Sequence, residues 1–219
     1  YSTNENLKAL QDAEDRYLPR GAENTSAIVL AASRGEELRE LTEHQPKTMV
    51  NIQGTPILAH IVDAYNAVGI KDITVVRGYK KEAVTLPNPT YLDNDDSADT
   101  GELDSLDKAV RARKGLAKDL IISYGDVLFN TYIPQALCQE KEDFVVFVDS
   151  DWQNQSSYAR LGGFAECTLP NSRRAFNAKI YLKQLGNLAP QESIHGVWMG
   201  FLKVSPAGAV HLQAILAEM

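Results

Sequence analysis

The chain has 219 residues, 44% hydrophobic and 23% charged, with 22 Lys+Arg against 29 Asp+Glu and a formal net charge of −7. That length and balance fit one soluble α/β domain with a proper core, and the acidic excess argues against a nucleic-acid partner. No run of about 18 apolar residues is present to span a membrane, the polar N-terminus has no secretory core, and Cys138 and Cys167 stand in no metal-ligand spacing, so the reading is a cytoplasmic protein with two reduced core thiols.

Residues 5–17 read as a short helix, with Leu7, Leu10, Ala13 and Tyr17 at helical spacing. Pro19, Gly21 and Asn24-Thr25-Ser26 then read as a linker. A first strand follows at 27–32, and a short strand-like run at Met49 to Ile52. Thr55-Pro56 opens a helix with Ile57, Leu58, Ile61, Val62, Tyr65 and Val68 on its apolar face, ended by Gly69. Ile73 to Val76 is a core strand closed by Gly78, and Tyr91-Leu92 a short one. Thr100-Gly101 opens a helix expected to bury Leu103, Leu106, Ala109 and Val110. Leu120 to Tyr124 and Phe144 to Val148 are further strands. This alternation predicts a three-layer α/β/α Rossmann-like fold with a mixed, mainly parallel sheet and helices on both faces. After Asp149, strands are expected at 159–167, 175–183 and 194–204, in a mixed sheet closing over the ligand side of the core, before a last helix from Pro206 to Ala217. A chain that opens on Tyr1 and closes in mid-element around Ala214, Leu216 and Met219 reads as a piece of a longer protein.

In open α/β sheets, ligands sit beyond the carboxyl ends of the strands. Three such ends carry polar residues here. The first strand runs Leu30-Ala31-Ala32 into Ser33-Arg34-Gly35, a tight glycine turn whose backbone N–H groups can cradle phosphate oxygens. Lys47, directly after Pro46, is placed to return to that cradle. An acidic protein holding a polyphosphate needs such a local cation, and a metal ion, against its own field. The second end is Gly125-Asp126; Asp126 reads either as a carboxylate holding Mg²⁺ against a substrate phosphate or as the N-cap of a following segment. The third is Asp149-Ser150-Asp151, which reads as a solvated turn. Arg173-Arg174 suits a bound anion or a basic surface turn, Trp198 between Gly196 and Gly200 reads as core or ligand wall, and His195 as a pocket contact or a satisfied structural imidazole.

The pattern Leu30-Ala31-Ala32-x-x-Gly35, Leu41-Thr42, Pro46-Lys47 and Gly54-x-Pro56-Ile57-Leu58, with Gly125-Asp126 later, resembles the nucleotidyltransferases that activate sugar phosphates, phosphocholine or phosphonates with an NTP. Gly69-Ile70-x-Asp72-Ile73, Gly78-Tyr79-Lys80-Lys81-Glu82 and Asn94 followed by Ser105-Leu106 are similar to the phosphocholine cytidylyltransferase branch. Leu10 to Pro19 resembles the last helix of phosphoenolpyruvate mutase, so residues 1–25 are expected to be the tail of a preceding mutase domain and 26–219 the nucleotidyltransferase domain. The resemblance implies a GT-A-like fold and Mg²⁺-dependent transfer of CMP from CTP to a small phosphonate such as 2-hydroxyethylphosphonate. It implies nucleotide contacts from Leu30, Ala31, Ala32, Ser33, Arg34, Gly35, Lys47, Asn94, Ser105 and Gly125, with Lys47 and Arg34 catalytic and Asp126 on the metal. Lys80, Arg160, Arg173 and Trp198 are the candidates for the acceptor. Where many relatives have Gly-x-Gly-x-Arg, this chain has Ser33 at the first Gly and Glu37 at the Arg, so Arg34, or else Arg39, takes over the missing cation. The second metal carboxylate of the family has no counterpart before Met219. Three other readings stay open: a sugar-1-phosphate or phosphocholine nucleotidyltransferase, a non-catalytic nucleotide-binding module regulating an attached mutase, and a glycosyltransferase using Asp149-x-Asp151.

Overall fold

Thr25–Ala31 form strand β1, and every residue but Leu30 is buried. A strand covered on both faces needs a continuous apolar run, which Ala27-Ile28-Val29 supply at 0% exposure. The computed structural model describes residues 22–113, 117–154, 163–172, 178–186 and 191–219. The chain divides into two compact units: the larger runs to Val145 and resumes over Leu202–Met219, and the smaller is Val146–Phe201.

In the larger unit, β1 lies between two parallel neighbours, β4 (Asp72–Arg77) and β6 (Asp119–Tyr124), and β4 pairs on its other side with parallel β5 (Thr90–Asp93). The register sets Leu30 opposite both Val76 and Tyr124. The three strands therefore end level, and the loops after Ala31, Arg77 and Tyr124 emerge side by side. Between β1 and β4, a small hairpin joins β2 (Asn51–Ile52) and β3 (Thr55–Pro56) through Gln53-Gly54. Both turn residues have positive φ, 53° and 85°, the geometry of a two-residue hairpin loop. Thr55-Pro56 thus closes a hairpin rather than starting a helix, and α1 begins one residue later, at Ile57–Ala67.

Helices cover both faces of this sheet. On one face Ile28, Val76, Leu120 and Ile122 pack with Leu106, Ala109 and Val110 of α2 (Glu102–Ala112), while Ala209, Leu212 and Leu216 of the last helix join the same core. On the other face, Tyr65 of α1 sits beside Ser123 and Cys138, and the Cys138 Sγ lies 3.7 Å from the Thr25 Oγ1. Leu103 departs from expectation: it is 51% exposed, because it falls on the solvent side of α2. Helix α3 (Tyr132–Gln139) was not anticipated from the sequence. Pro134 looks like a breaker there, yet it stands in the first turn, where its missing N–H costs nothing. Helix α4 (Pro206–Ala217) matches the expected span, with the Ser205 Oγ accepting from the Gly208 N–H at 3.0 Å.

β7 (Phe144–Asp149) pairs with β10 (Gly196–Val204), the first two residues of β7 and the last three of β10 being counted with the larger unit; antiparallel β8 (Phe164–Cys167) and β9 (Leu182–Leu185) follow in the smaller unit. The strand expected over 175–183 is displaced: residues 178–181 are outside any strand and β9 starts at Leu182. Every residue of β9 is exposed, so no alternation of buried and exposed side chains specifies its register. The expected strands over 159–167 and 194–204 are seen as Phe164–Cys167 and Gly196–Val204. Residues 1–21, which include the expected first helix, and Arg160, Arg173 and Arg174 lie outside the described residues. Parallel strands alternating with helices, followed by antiparallel ones, make this an α/β Rossmann-like fold. Both cysteines are buried and unpaired, and burial pushes both thiols up. Among the described residues, no helix is long and apolar enough to cross a membrane.

Candidate functional site

The segment leaving β1 is a loop held at both ends. The Ala32 carbonyl accepts from the Tyr79 N–H at 2.9 Å, and the Arg34 carbonyl from the Lys47 N–H at 3.0 Å. Between them, the Gly35 carbonyl accepts from the Leu38 N–H at 3.1 Å and from the fully buried Thr42 Oγ1 at 3.0 Å. Among the described residues, no acceptor takes the N–H groups of Ser33, Arg34 or Gly35. These amides follow one another through a turn in which Gly35 has φ 75°. A Cβ at Gly35 would come within 2.7 Å of the Lys47 Cβ and Cδ. The position therefore excludes a side chain twice over, by its left-handed backbone and by the lysine stem lying across it.

That stem carries the Lys47 ammonium to the end of β6, where its Nζ lies 2.8 Å from the Asp126 Oδ2; the Glu37 Oε1 is 3.9 Å away. Gly125 makes the approach possible. Its N–H donates to the Leu30 carbonyl at 2.8 Å, and a Cβ there would meet the Ala31 Cβ at 2.8 Å. The next described helix, α3, has Thr131 as its N-cap, so Asp126 is not serving as one. The side chains of Lys47 and Asp126 keep 24% and 31% of their exposure. A pair this wet contributes at most about 1 kcal/mol to stability. Each partner can thus exchange the other for a ligand group at little cost. Tyr124, just before, is held protonated: burial raises its phenol, and the Glu102 and Asp126 carboxylates add to the effect.

Arg34 lies over Tyr79, with its guanidinium carbon 5.4 Å from the ring centroid, and its Nε is buried with no acceptor among the described residues. Arg39, the other candidate for the missing cation, is exposed on the outer part of the loop. Lys80 follows Tyr79 in left-handed backbone and is exposed, its Nζ 6.0 Å from the same ring. Asn94 and Ser105 do come together: the Asn94 amide donates to the Ser105 Oγ at 2.9 Å and to the Thr100 Oγ1 at 3.1 Å. The Asn94 Oδ1 accepts from the Lys108 Nζ at 2.7 Å, so the whole amide group is engaged inside the protein. Lys108 also holds the Asp96 carboxyl below its usual range.

In the smaller unit, the Trp198 Nε1–H donates to the Phe201 carbonyl at 2.8 Å, and the His195 Nδ1 accepts from the Cys167 N–H at 2.9 Å. His195 thus has one ring nitrogen engaged by the backbone, and it also lines a cavity with Phe147, Val148, Cys167 and Leu169. Asp149 accepts from the Asp151 N–H at 2.8 Å, an Asx turn, as the solvated-turn reading expects. Sequence reasoning places Thr42 and Tyr79 within motifs but gives neither a role in the loop after β1. A Gly-Tyr pair directly after a core strand was the available signal for the latter. A metal at this site would meet the Asp126 carboxylate at the end of β6; among the described residues no three His, Cys, Asp or Glu are gathered. That donor set fits Mg²⁺, which is commonly held by one or two carboxylates together with substrate phosphates.

Comparison with known proteins bears on this geometry. A family model described as the MobA-like NTP transferase domain matches residues 27–176. The chain is 33% identical over 148 residues to the UTP–glucose-1-phosphate uridylyltransferase AglF of Haloferax volcanii, covering 60% of this chain and 57% of that protein. It is 32% identical over 125 residues to the CMP-5'-(3-aminopropyl)phosphonate synthase of Streptomyces rubellomurinus, covering 53% of this chain and 19% of that one. The chain thus spans little more than half of the first of these relatives and a fifth of the second. Among solved structures, the inositol-1-phosphate CTP transferase from T. maritima superposes with a TM-score of 0.66 at 18% identity, over 87% of this chain and 74% of that one; at that identity it speaks for the fold alone.

Proposed function

The chain belongs to the MobA-like NTP transferase family, and on that footing we propose that it transfers the cytidylyl group of CTP to a small phosphonate such as 2-hydroxyethylphosphonate, releasing pyrophosphate. The observation that carries the proposal is the meeting of Lys47 with Asp126, 2.8 Å apart, in front of the open amides of Ser33 to Gly35. A cation, a carboxylate and a row of unengaged N–H groups at the level ends of β1 and β6 suit a triphosphate and the metal that accompanies it. The phosphonate synthase relative adds the acceptor class.

In this reading a phosphonate oxygen attacks the α-phosphorus of CTP in line, the new P–O bond forms as the α–β bridge breaks, and pyrophosphate carries away the bond's electron pair. The attacking group is already an anion, so no protein nucleophile or base is required. The chain's work is placement and charge stabilisation. The Ser33, Arg34 and Gly35 amides hold the β- and γ-phosphates, and Arg34 adds a cation beside them. Lys47 leaves Asp126 and stabilises charge building on the α-phosphoryl group. Bound at Asp126, Mg²⁺ would lower the repulsion between the two anions. Asn94, with its own amide engaged, acts by holding Ser105 and Thr100 in place near the end of β5. Lys80, Arg160, Arg173 and Trp198 remain the candidates for the acceptor, and residues 1–25 for the tail of a fused mutase domain.

A second reading, a uridylyltransferase acting on a sugar 1-phosphate, is favoured by the archaeal relative. Pyrophosphate release from the full-length protein, measured with four NTPs against phosphonates and sugar phosphates with and without Mg²⁺, separates the two. Release with CTP and a phosphonate, dependent on Mg²⁺ and weakened in its metal titration by Asp126→Asn, is the expected result. Turnover with UTP and sugar phosphates alone overturns it.

A further inference from the structure

Tyr79 touches the loop after β1 at three separate points. Its N–H reaches the Ala32 carbonyl, where the loop begins, at 2.9 Å. Its hydroxyl donates to the Glu43 carbonyl, eleven residues further along, at 2.8 Å. Its ring backs the Arg34 guanidinium at 5.4 Å. Tyr79 itself stands on a different element, two residues past β4, whose packing between β1 and β5 is independent of the loop. The loop segment from Ala32 to Glu43 contains both the open amides and Arg34; its outer part, Glu36–Thr42, is a short 3₁₀ stretch broken at Arg39 (φ 49°) and tied back through the Thr42 Oγ1 to the Gly35 and Arg39 carbonyls, whereas Ala32 to Gly35 lie outside any helix or strand. The Ala32–Gly35 stretch is held from outside at two carbonyls, that of Ala32 by Tyr79 and that of Arg34 by Lys47; with the first hold removed it samples more conformations, and the ordering cost falls on ligand binding.

We propose that Tyr79 is a positioning residue for the polyphosphate: it presets the loop after β1 and holds Arg34 with its buried, acceptor-free Nε ready for an anion. The inference rests on the reading of that loop as the triphosphate site. The ring face supplies an electrostatic seat for the guanidinium without competing for its N–H groups. A carboxylate in the same place would fix the arginine as well, but would occupy the donors the phosphate needs. The hydroxyl contact to Glu43 closes the loop, and the ring contact aims the cation.

The test uses the full-length protein and two readouts: calorimetric binding of inorganic tripolyphosphate, and KM for the NTP against kcat. Tyr79→Ala is expected to weaken tripolyphosphate about tenfold and to raise KM by a similar factor, with kcat within about threefold. Tyr79→Phe, which keeps the ring, is expected to recover most of that binding. Because part of the Tyr79 effect passes through Arg34, Arg34→Ala/Tyr79→Ala is expected to lose less affinity than the two single losses combined, the signature of coupled residues. Should the alanine variant fail to fold, Tyr79→Leu preserves bulk while removing the ring quadrupole and the hydroxyl, and takes its place. Wild-type affinity in both the Ala and Leu variants, or additive losses in the double variant, overturns the proposal for Tyr79 while leaving the loop as the nucleotide site. No tripolyphosphate binding by the wild-type protein overturns the site reading itself.

Discussion

The two ends of the parallel strands in the larger unit carry the same kinds of residue and treat them in opposite ways. At the amino ends, Lys203 is 1% exposed, and its Nζ reaches the Asp119 Oδ2 at 3.1 Å and the carbonyls of Glu140 and Glu142 at 3.1 and 3.4 Å. Arg113 directs its terminal nitrogens to the Ser26 Oγ at 2.7 Å, the Thr74 Oγ1 at 3.0 Å and the Ala27 carbonyl at 3.4 Å. At the carboxyl ends, Lys47 has a half-wet carboxylate and Arg34 an aromatic face. A cation whose terminal donors meet several fixed protein acceptors ties elements together, even where, as in Arg113, the Nε is buried without an acceptor among the described residues; a cation left with weak or exchangeable partners is available to a ligand. Charge alone does not distinguish a structural lysine from a functional one, but the inventory of its acceptors does.

The sharpest way to break this contrast is to remove one cation from each end. Lys203→Ala leaves Asp119 and two carbonyls without their donor and is expected to cost about 3 kcal/mol or more of stability, read by denaturant unfolding, with pyrophosphate release per folded molecule unchanged. A wild-type unfolding midpoint would remove Lys203 from the structural class. Lys47→Ala is expected to do the reverse. Turnover falls about 10²-fold or more, while stability moves by less than about 1 kcal/mol; near-normal turnover would take Lys47 out of the chemistry.

A smaller effect sharpens the same comparison at the edge strand. Burial tends to raise the Asp93 carboxyl, but hydrogen bonds from Arg77 and Lys81 outweigh it and hold it below its usual range. A carboxylate with a lowered folded-state pKa stabilises the fold above its unfolded value of about 3.9, and that contribution is lost as pH falls through the folded value. The stability of Asp93→Asn should therefore fall less steeply than that of the wild type over this acid range, with little change in activity at neutral pH. Parallel acid limbs in the two proteins would show that the Asp93 cluster does not drive the loss.

The strand read at 27–32 and the helix at Ile57–Ala67 were legible because a buried strand shows an apolar run and a covered helix repeats its apolar face; Thr25 and Ser26, read as linker, are polar yet buried at the start of that strand. Where a segment contributes little apolar surface, that signal is absent, as in the exposed β9. Gly35, Lys47, Gly125 and Asp126 could be picked out as types suited to phosphate and metal, but their spacing along the chain spans 91 positions and says nothing of distance. The sequence by itself determined the alternation of strands and helices around β1, most of the core faces and the residue types at the strand ends; α3, whose apolar face is short, was not legible in it. Only the tertiary structure decided that Lys47 meets Asp126, that Asn94 is engaged inside the protein, and that Tyr79 braces the loop after β1. The reason is the parallel register: it sets three strand ends level, so residues far apart in the chain become neighbours, and no local pattern records which of them will touch.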